Sequence, residues 1–442
     1  MKKSPSKIQV ISFICILLLT ALIAYNGLQR SNKYSNKLML ECSEADTIRG
    51  GEGYVREGFL VDYGLPDICY GEKYEGLGQD WYTFQSKEIH AKLGTANVSK
   101  EKIDSMMPVK KPGDKCVYTH YPQASFLMIA LSIKICGEDN ISCFRIFPTV
   151  VGIVAMLIFA LLMYYGLGPV RAILMMAAIA YVPISYILMP SLYYSSYAHS
   201  LLIIQLGIYL IIFRNKLQVT PVYCSVLFVI GFLQGWFSYD YAFMVIFSAI
   251  PFAFMYSGTQ KEDRKRFLLT FIMPAAGFCI AHALHFAEII AYFGGFTAFY
   301  KDLAYTASYR FDDSAGGMDF IIVRLKLIEK YLFTYAYARG FFNVNLPTML
   351  ATLFVLSWIR NIRIVIPYSG YTLHWNSSIR TFLTLGAGFL VSFLWVIIMK
   401  QHATHFFITL HLFPLYFFSV LVAVEGLSIS KKDRETDLTT TI

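Results

Sequence analysis

The sequence predicts an all-α polytopic membrane protein, a bundle of about ten membrane-spanning helices with one large extracytoplasmic loop after the first helix. Three observations lead there. Of the 442 residues, 56% are apolar and 16% aromatic but only 15% charged, too little charge for a soluble chain of this size. Apolar runs approaching the ~20 residues needed to cross ~30 Å of hydrocarbon recur along the chain. Basic residues stand in short clusters beside those runs, where they orient helices by the positive-inside rule. The formal net charge of +9 therefore points to a lipid bilayer as partner and not to nucleic acid.

The first element is the run Ile8–Tyr25, preceded by three lysines in Met1–Lys7. No small-residue cleavage pattern follows it, so it reads as an uncleaved anchor with its N-terminus in the cytoplasm. Further spans are expected at Ile146–Tyr165, Arg171–Met189, His199–Phe213, Pro221–Phe237, Tyr239–Tyr256, Phe267–Tyr292, Leu346–Ile359, Thr381–Met399 and Phe406–Val424. Alternation then places Arg171, Arg214 with Lys216, Lys261 to Arg266, Arg360 with Arg363, and the tail Lys431, Lys432 and Arg434 on the inner side. Every inner connection is basic, as the rule requires. The chain divides into an N-terminal stub and anchor (1–26), an extracytoplasmic loop (27–145), a transmembrane core (146–292), a second extracytoplasmic loop (293–345), C-terminal helices (346–426) and a cytoplasmic tail (427–442).

Within the first loop, Val55–Tyr63 reads as a short helix ended by Gly64, with Pro66 beyond. Tyr121–Cys136 is apolar, led by a proline and short for a span, so it reads as a helix on the outer surface. In the second loop, Phe320–Tyr337 has apolar residues at helical spacing interrupted by Arg324, Lys326, Glu329 and Lys330. Charges near the bilayer centre cost about 2.5–3.5 kcal/mol each, so this is an interfacial amphipathic helix rather than a span. Cys42, Cys69, Cys116, Cys136 and Cys143 fall on the outer side, where disulfides persist. Cys136 and Cys143 flank a short polar turn and suit a local bridge. Cys69 with Cys116 would close a larger loop, and the connectivity stays open.

Polar residues at the outer ends of spans are the candidates for chemistry. They are His120 in Tyr-Thr-His-Tyr-Pro, His199 after the tyrosine-rich stretch Tyr193–Tyr197, Asp240 in Ser-Tyr-Asp-Tyr, and His402 with His405 in Gln-His-Ala-Thr-His. These could converge on one outward-facing cavity. Each histidine has an alternative reading as an interfacial anchor. The i, i+3 pair His402 and His405 leaves a divalent metal open as a cofactor, without a third ligand to specify it. The first loop is rich in carboxylates, among them Glu41, Glu44, Asp46, Glu52 and Glu57.

The arrangement resembles the GT-C membrane glycosyltransferases, with the family 39 protein mannosyltransferases and the aminoarabinose transferases nearest in pattern. The likeness lies in the anchor, the long acidic outer loop, the Tyr-x-x-Tyr-Pro element of Tyr118–Pro122 leading into a short apolar helix, and the proline-containing final span in Gln401–Ala423. It implies a GT-C-like bundle, a polyprenyl-phosphate sugar donor, an acceptor on the extracytoplasmic face, and an acidic residue early in the first loop that acts as base or binds the acceptor. Asp46 and Glu52 match that role. Arg310, Lys326 and Lys330 are the cations that would meet the lipid phosphate. Many mannosyltransferases carry an adjacent Asp-Glu pair at the loop start, where this chain has Ser-Glu-Ala-Asp with Glu44 and Asp46. The competing readings are a transporter or flippase, for which Gln234, His282 and His285 are the residues to watch, and a catalytically silent protein of the same fold.

Overall fold

The structure, a computed structural model, describes residues 7–35, 38–39, 41–67, 117–119, 121–138, 140–182, 185–297, 299–301, 303–304, 318–330, 361–366, 371–376, 379–398 and 411–431. Its helices are α1 (Lys7–Lys33), α2 (Glu41–Glu57), α3 (Ala124–Cys136), α4 (Ile141–Phe144), α5 (Ile146–Leu167), α6 (Pro169–Tyr181), α7 (Tyr194–Arg214), α8 (Pro221–Phe237), α9 (Ala242–Phe247), α10 (Ala249–Tyr256), α11 (Lys261–Phe293), α12 (Met318–Lys330), α13 (Ile379–Ile398) and α14 (Phe413–Gly426). Strands β1 (Asn361–Ile366), β2 (Tyr371–Asn376) and β3 (Leu427–Lys431) complete the described elements.

The chain is a helical membrane protein. Among the described residues, five helical stretches are long and apolar enough to cross a bilayer: α1, α4 running into α5, α7, α11 and α13. The apolar helices α3, α6, α8, α9 with α10, and α14 are shorter. Nearly every helix interior is apolar all round, as expected where lipid replaces water on the outward face. Ile11, Leu18, Val154, Leu284 and Leu390 accordingly stay exposed on the bundle's surface. The expected span Leu346–Ile359 lies outside the described residues.

Contacts between helix ends sort into two sets. On one side, Glu425 at the end of α14 pairs with Arg171 at 3.0 Å and with Arg214, and it accepts a hydrogen bond from the Tyr256 hydroxyl at 2.9 Å. Arg266 on the same side donates to the carbonyls of Lys216 and Leu217. On the other, Arg145 joins Tyr34, Glu44 and Pro190; Asp240 meets Tyr121 and Tyr194; and Arg324 of α12 donates to the Ile397 carbonyl at 2.8 Å.

Three local readings change. The expected short helix Val55–Tyr63 is instead the tail of the longer α2, so Asp46 and Glu52 lie within a helix rather than before one. The chain stops being helical at Gly58 and turns through Tyr63 and Gly64, both at positive φ, the backbone region that Gly64 enters without a Cβ penalty. A second change is the antiparallel sheet β1-β2-β3, where a predicted inner connection pairs with the predicted inner tail through Tyr371↔Lys431 to Trp375↔Leu427. Third, the expected span Tyr239–Tyr256 starts at Ala242 and breaks at Ser248, whose hydroxyl donates back to the Met244 carbonyl, a bond that bends helices. The expected bridge Cys136–Cys143 is present; Cys69 and Cys116 lie outside the described residues.

The tightest helix pair is α8 against α11. Gly231 and Gly235, four residues apart, let the backbones close as small residues do in membranes. A Cβ built at Gly231 would stand 2.1 Å from the Pro274 carbonyl oxygen, and one at Gly277 would stand 2.1 Å from that of Phe228. Gly231→Ala is therefore expected to destabilise the protein by about 1–3 kcal/mol, lowering the thermal unfolding midpoint in detergent. Gly386→Ala, whose Cβ meets nothing within 4 Å, should leave that midpoint unchanged or raise it.

Candidate functional site

Helix α2 carries the acidic candidates and is held against the bundle by its own glycines. A Cβ at Gly50 would strike Phe126, and one at Gly51 would strike Ile129. The side chain of Gly50-Gly51 that is missing is thus the space α3 occupies. Ile48, Ile129, Ile133, Phe144 and Leu192 form a small core between α2, α3 and the approach to α7.

Glu44 completes that attachment. Its two carboxylate oxygens receive both terminal nitrogens of Arg145, at 2.9 and 2.8 Å, and the two side chains are fully buried. Oε1 also accepts the Leu192 amide at 2.9 Å and Oε2 the Met39 amide at 2.7 Å. Arg145 in turn donates to the carbonyls of Tyr34 at 2.9 Å and Pro190 at 2.8 Å. A bidentate, charge-assisted pair with its remaining valences filled is a rigid tie. Of the two acids in Ser-Glu-Ala-Asp, Glu44 is thereby a positioning group.

Asp46, the other acid of the pair, keeps partial access to solvent. Its side chain is 23% exposed, and Arg49 one turn on lies 3.9 Å away. Burial pushes its carboxyl up to about 6, against the opposing pull of Arg49. Glu52 sits six residues further along α2, half-buried. At 100° per residue the two carboxylates are about 120° apart around the helix, so they do not share a face.

Asp240 is buried at the turn between α8 and α9. It accepts hydrogen bonds from the Tyr121 hydroxyl at 2.9 Å and from the Tyr194 hydroxyl, and its own amide donates to Ser238 Oγ at 2.9 Å. The Tyr121 ring stacks between Tyr194 and Tyr239, with centroids 4.5 and 4.6 Å away, and Tyr193 meets it edge-on at 5.4 Å. Offset and edge-on ring pairs of this kind contribute beyond their buried area. Two separate chain segments, one with Tyr121 and one with Tyr193 and Tyr194, thus meet the Ser238–Asp240 turn, and Tyr-x-x-Tyr-Pro supplies the central ring. The tyrosines were visible as a composition bias; their convergence on Asp240 was not, because Tyr121 and Asp240 are 119 residues apart.

His199 lies deeper on α7. It borders a cavity of about 10 Å³ with Ser185, Ser196 and Ser200, space for a single water. Both its ring nitrogens are buried without a hydrogen-bond partner among the described residues, and its ring meets Phe413 edge-on at 4.9 Å. On α12, Arg324 is buried and Lys326 exposed, beside the exposed apolar Ile321, Ile322 and Leu325, the pattern of a helix lying in an interface. Lys330 ends that helix. His120, Arg310, His402 and His405 lie outside the described residues. Among the described residues, no three His, Cys, Asp or Glu side chains come together as a metal ion would require.

No protein-family model matches the chain, and no curated protein is similar to it at a significant level.

Proposed function

We propose that the chain is a membrane glycosyltransferase that moves a hexose or pentose from a polyprenyl-phosphate donor to an acceptor hydroxyl on the extracytoplasmic face. The observation that carries this reading is Asp46, a partly accessible carboxylate near neutrality on a helix pinned to the ends of the bundle by Glu44 and Arg145. In this reading about ten spans cross the inner or plasma membrane, counting 346–359, with both termini cytoplasmic.

The acceptor oxygen attacks the anomeric carbon and forms the new glycosidic bond, while Asp46 takes the hydroxyl proton. The bond from that carbon to the phosphate oxygen breaks, and its electron pair leaves with the lipid phosphate. Arg310, Lys326 and Lys330 supply the positive charge that a departing phosphate needs. Glu52 is the alternative base, and Asp240 with His120, His199, His402 and His405 would line the sugar's path.

The test supplies purified protein in lipid with radiolabelled polyprenyl-phosphate mannose, glucose and aminoarabinose. Transfer of label from one donor to a peptide, glycan or lipid acceptor is the expected result; absence of both binding and transfer for all donors would overturn it. A transporter or flippase is the second reading. It is favoured by Gln234, fully buried inside the bundle with neither polar side-chain atom hydrogen-bonded among the described residues. Buried polar groups in membrane helices mark transport paths, and reconstituted vesicles that move a lipid-linked sugar across the bilayer without transferring it would select that reading.

A further inference from the structure

Two cations at the end of α1 meet no carboxylate. Residues 8–28 of that helix carry no charge. At 1.5 Å per residue they measure about 31 Å, the depth of a bilayer's hydrocarbon core. Lys7 therefore stands at one boundary of the core, and Arg30 and Lys33, in the last turn, stand at the other. The helix packs on α5 and α6 and buries Ile16, Thr20 and Ile23. Leu18, Leu22, Tyr25 and Leu28 stay exposed on its surface. Acyl chains cover such a face in a bilayer, which brings their headgroups level with the two cations.

Arg30 and Lys33 also converge on one ring. The Arg30 guanidinium lies 5.2 Å from the centre of the Tyr34 ring, and the Lys33 ammonium 5.7 Å. Arg145 approaches the same ring at 6.0 Å, but Glu44 neutralises it. Neither Arg30 nor Lys33 has a carboxylate partner among the described residues. Arg30 Nε is buried, with no hydrogen-bond partner among those residues, an arrangement that is costly unless an acceptor arrives.

We propose that Arg30 and Lys33 bind the phosphate of an anionic phospholipid whose acyl chains lie along the exposed face of α1. The guanidinium fork matches two phosphate oxygens, and the lysine adds a second charge from a flexible stem. A choline headgroup would place its own cation beside Arg30 and Lys33, whereas a glycerol headgroup leaves the phosphate charge unopposed. The phosphate of a sugar-carrying polyprenyl lipid shares this chemistry, but the exposed face of α1 fronts bulk lipid, which selects the phospholipid. The site adjoins the node that holds α2, because Arg145 Nε donates to the Tyr34 carbonyl at 2.9 Å. A bound headgroup therefore steadies the end of α1 against that node, whether or not the chain transfers sugar.

The test is native mass spectrometry of the full chain, titrated with phosphatidylglycerol, phosphatidylcholine and polyprenyl phosphate. The wild type should hold one phosphatidylglycerol about tenfold or more tightly than phosphatidylcholine, the scale that two cations at a lipid surface supply. Arg30→Gln combined with Lys33→Gln should abolish the preference without changing the unfolding midpoint in phosphatidylcholine. Lys33→Gln alone, at an exposed position, should lose part of it. Lys261→Gln combined with Lys265→Gln, which removes two exposed cations from the start of α11, should keep it. An Arg30 and Lys33 double variant that binds phosphatidylglycerol as the wild type does would overturn the proposal. So would an equal loss in the Lys261 and Lys265 variant, or equal affinity for phosphatidylcholine. Displacement of the bound phosphatidylglycerol by polyprenyl phosphate would assign the two cations to that lipid instead and would equally sink it.

Discussion

Replacing Arg145 with methionine is expected to remove about 3–5 kcal/mol of stability, the range seen when one partner of a buried ion pair is deleted. The arginine is fully buried and meets Glu44 twice, with the carbonyls of Tyr34 and Pro190 as further partners. Methionine fills much of its volume but leaves the Glu44 carboxylate inside the protein with two backbone amides as its remaining named donors. The loss is concentrated because this one node joins the end of α1, the start of α2, the start of α5 and the approach to α7. The check is the fraction of monodisperse protein after detergent extraction, together with the unfolding midpoint of whatever survives. Glu44→Gln combined with Arg145→Met should recover part of the loss, since no uncompensated charge remains. An Arg145→Met protein as stable as wild type would show that the node is not what holds α2 in place.

The second large effect is on turnover. Asp46→Asn should lower sugar transfer by about 10²–10⁴-fold, the usual contribution of a general base, while insertion and donor binding stay normal. Full activity in this variant would remove Asp46 from the mechanism and shift the assignment to Glu52. The pH profile gives an independent reading. A base must be ionised, so the wild-type rate should climb through about pH 6, where burial has moved the Asp46 carboxyl, and level off above it. The effect on stability has the opposite sign. The folded protein favours the protonated acid, so Asp46 is neutral to stability below the ordinary aspartate value of about 4 and increasingly unfavourable as pH rises through about 6. Asp46→Asn should therefore be slightly more stable than wild type at pH 7 and equal to it at low pH. A gain in stability coupled to a loss of turnover is what a strained functional carboxylate gives.

Legibility in the sequence followed the range of the interaction. Apolar run length marked the helices because membrane insertion is decided within one segment. The charge of Arg171, Arg214 and Arg266 is likewise a local cue, the one on which the expected inner side rests. Glu425, which gathers Arg171 and Arg214, gave no signal, since its partners lie up to 254 residues away in the chain. Asp240 stood out as a carboxylate between apolar spans, whereas the tyrosine stack around it is a product of packing. Helix α2 was read too short because its first turns carry Glu41, Glu44 and Asp46, which look like solvated loop until Arg145 arrives to neutralise one of them. The sheet was missed for a related reason: β1 and β2 flank a turn, but β3 lies beyond the last helix, and strand pairing across a span has no local mark.

That sheet also imposes an order on synthesis. The hairpin of β1 and β2 emerges with one edge of β2 open, and its partner β3 is not made until roughly 50 further residues have passed, a delay of about 3–10 s at ordinary translation speeds. Over the same interval the ion pairs of Arg171 and Arg214 with Glu425 are also unmade, because Glu425 precedes β3 by two residues. Arrival of α14 and β3 thus completes the sheet and the Glu425 contacts of both arginines almost at once. A ribosome stalled before Phe413 would leave a nascent chain in which neither the free edge of β2 nor the Glu425 ion pairs can be completed, whereas finishing this short stretch completes both together.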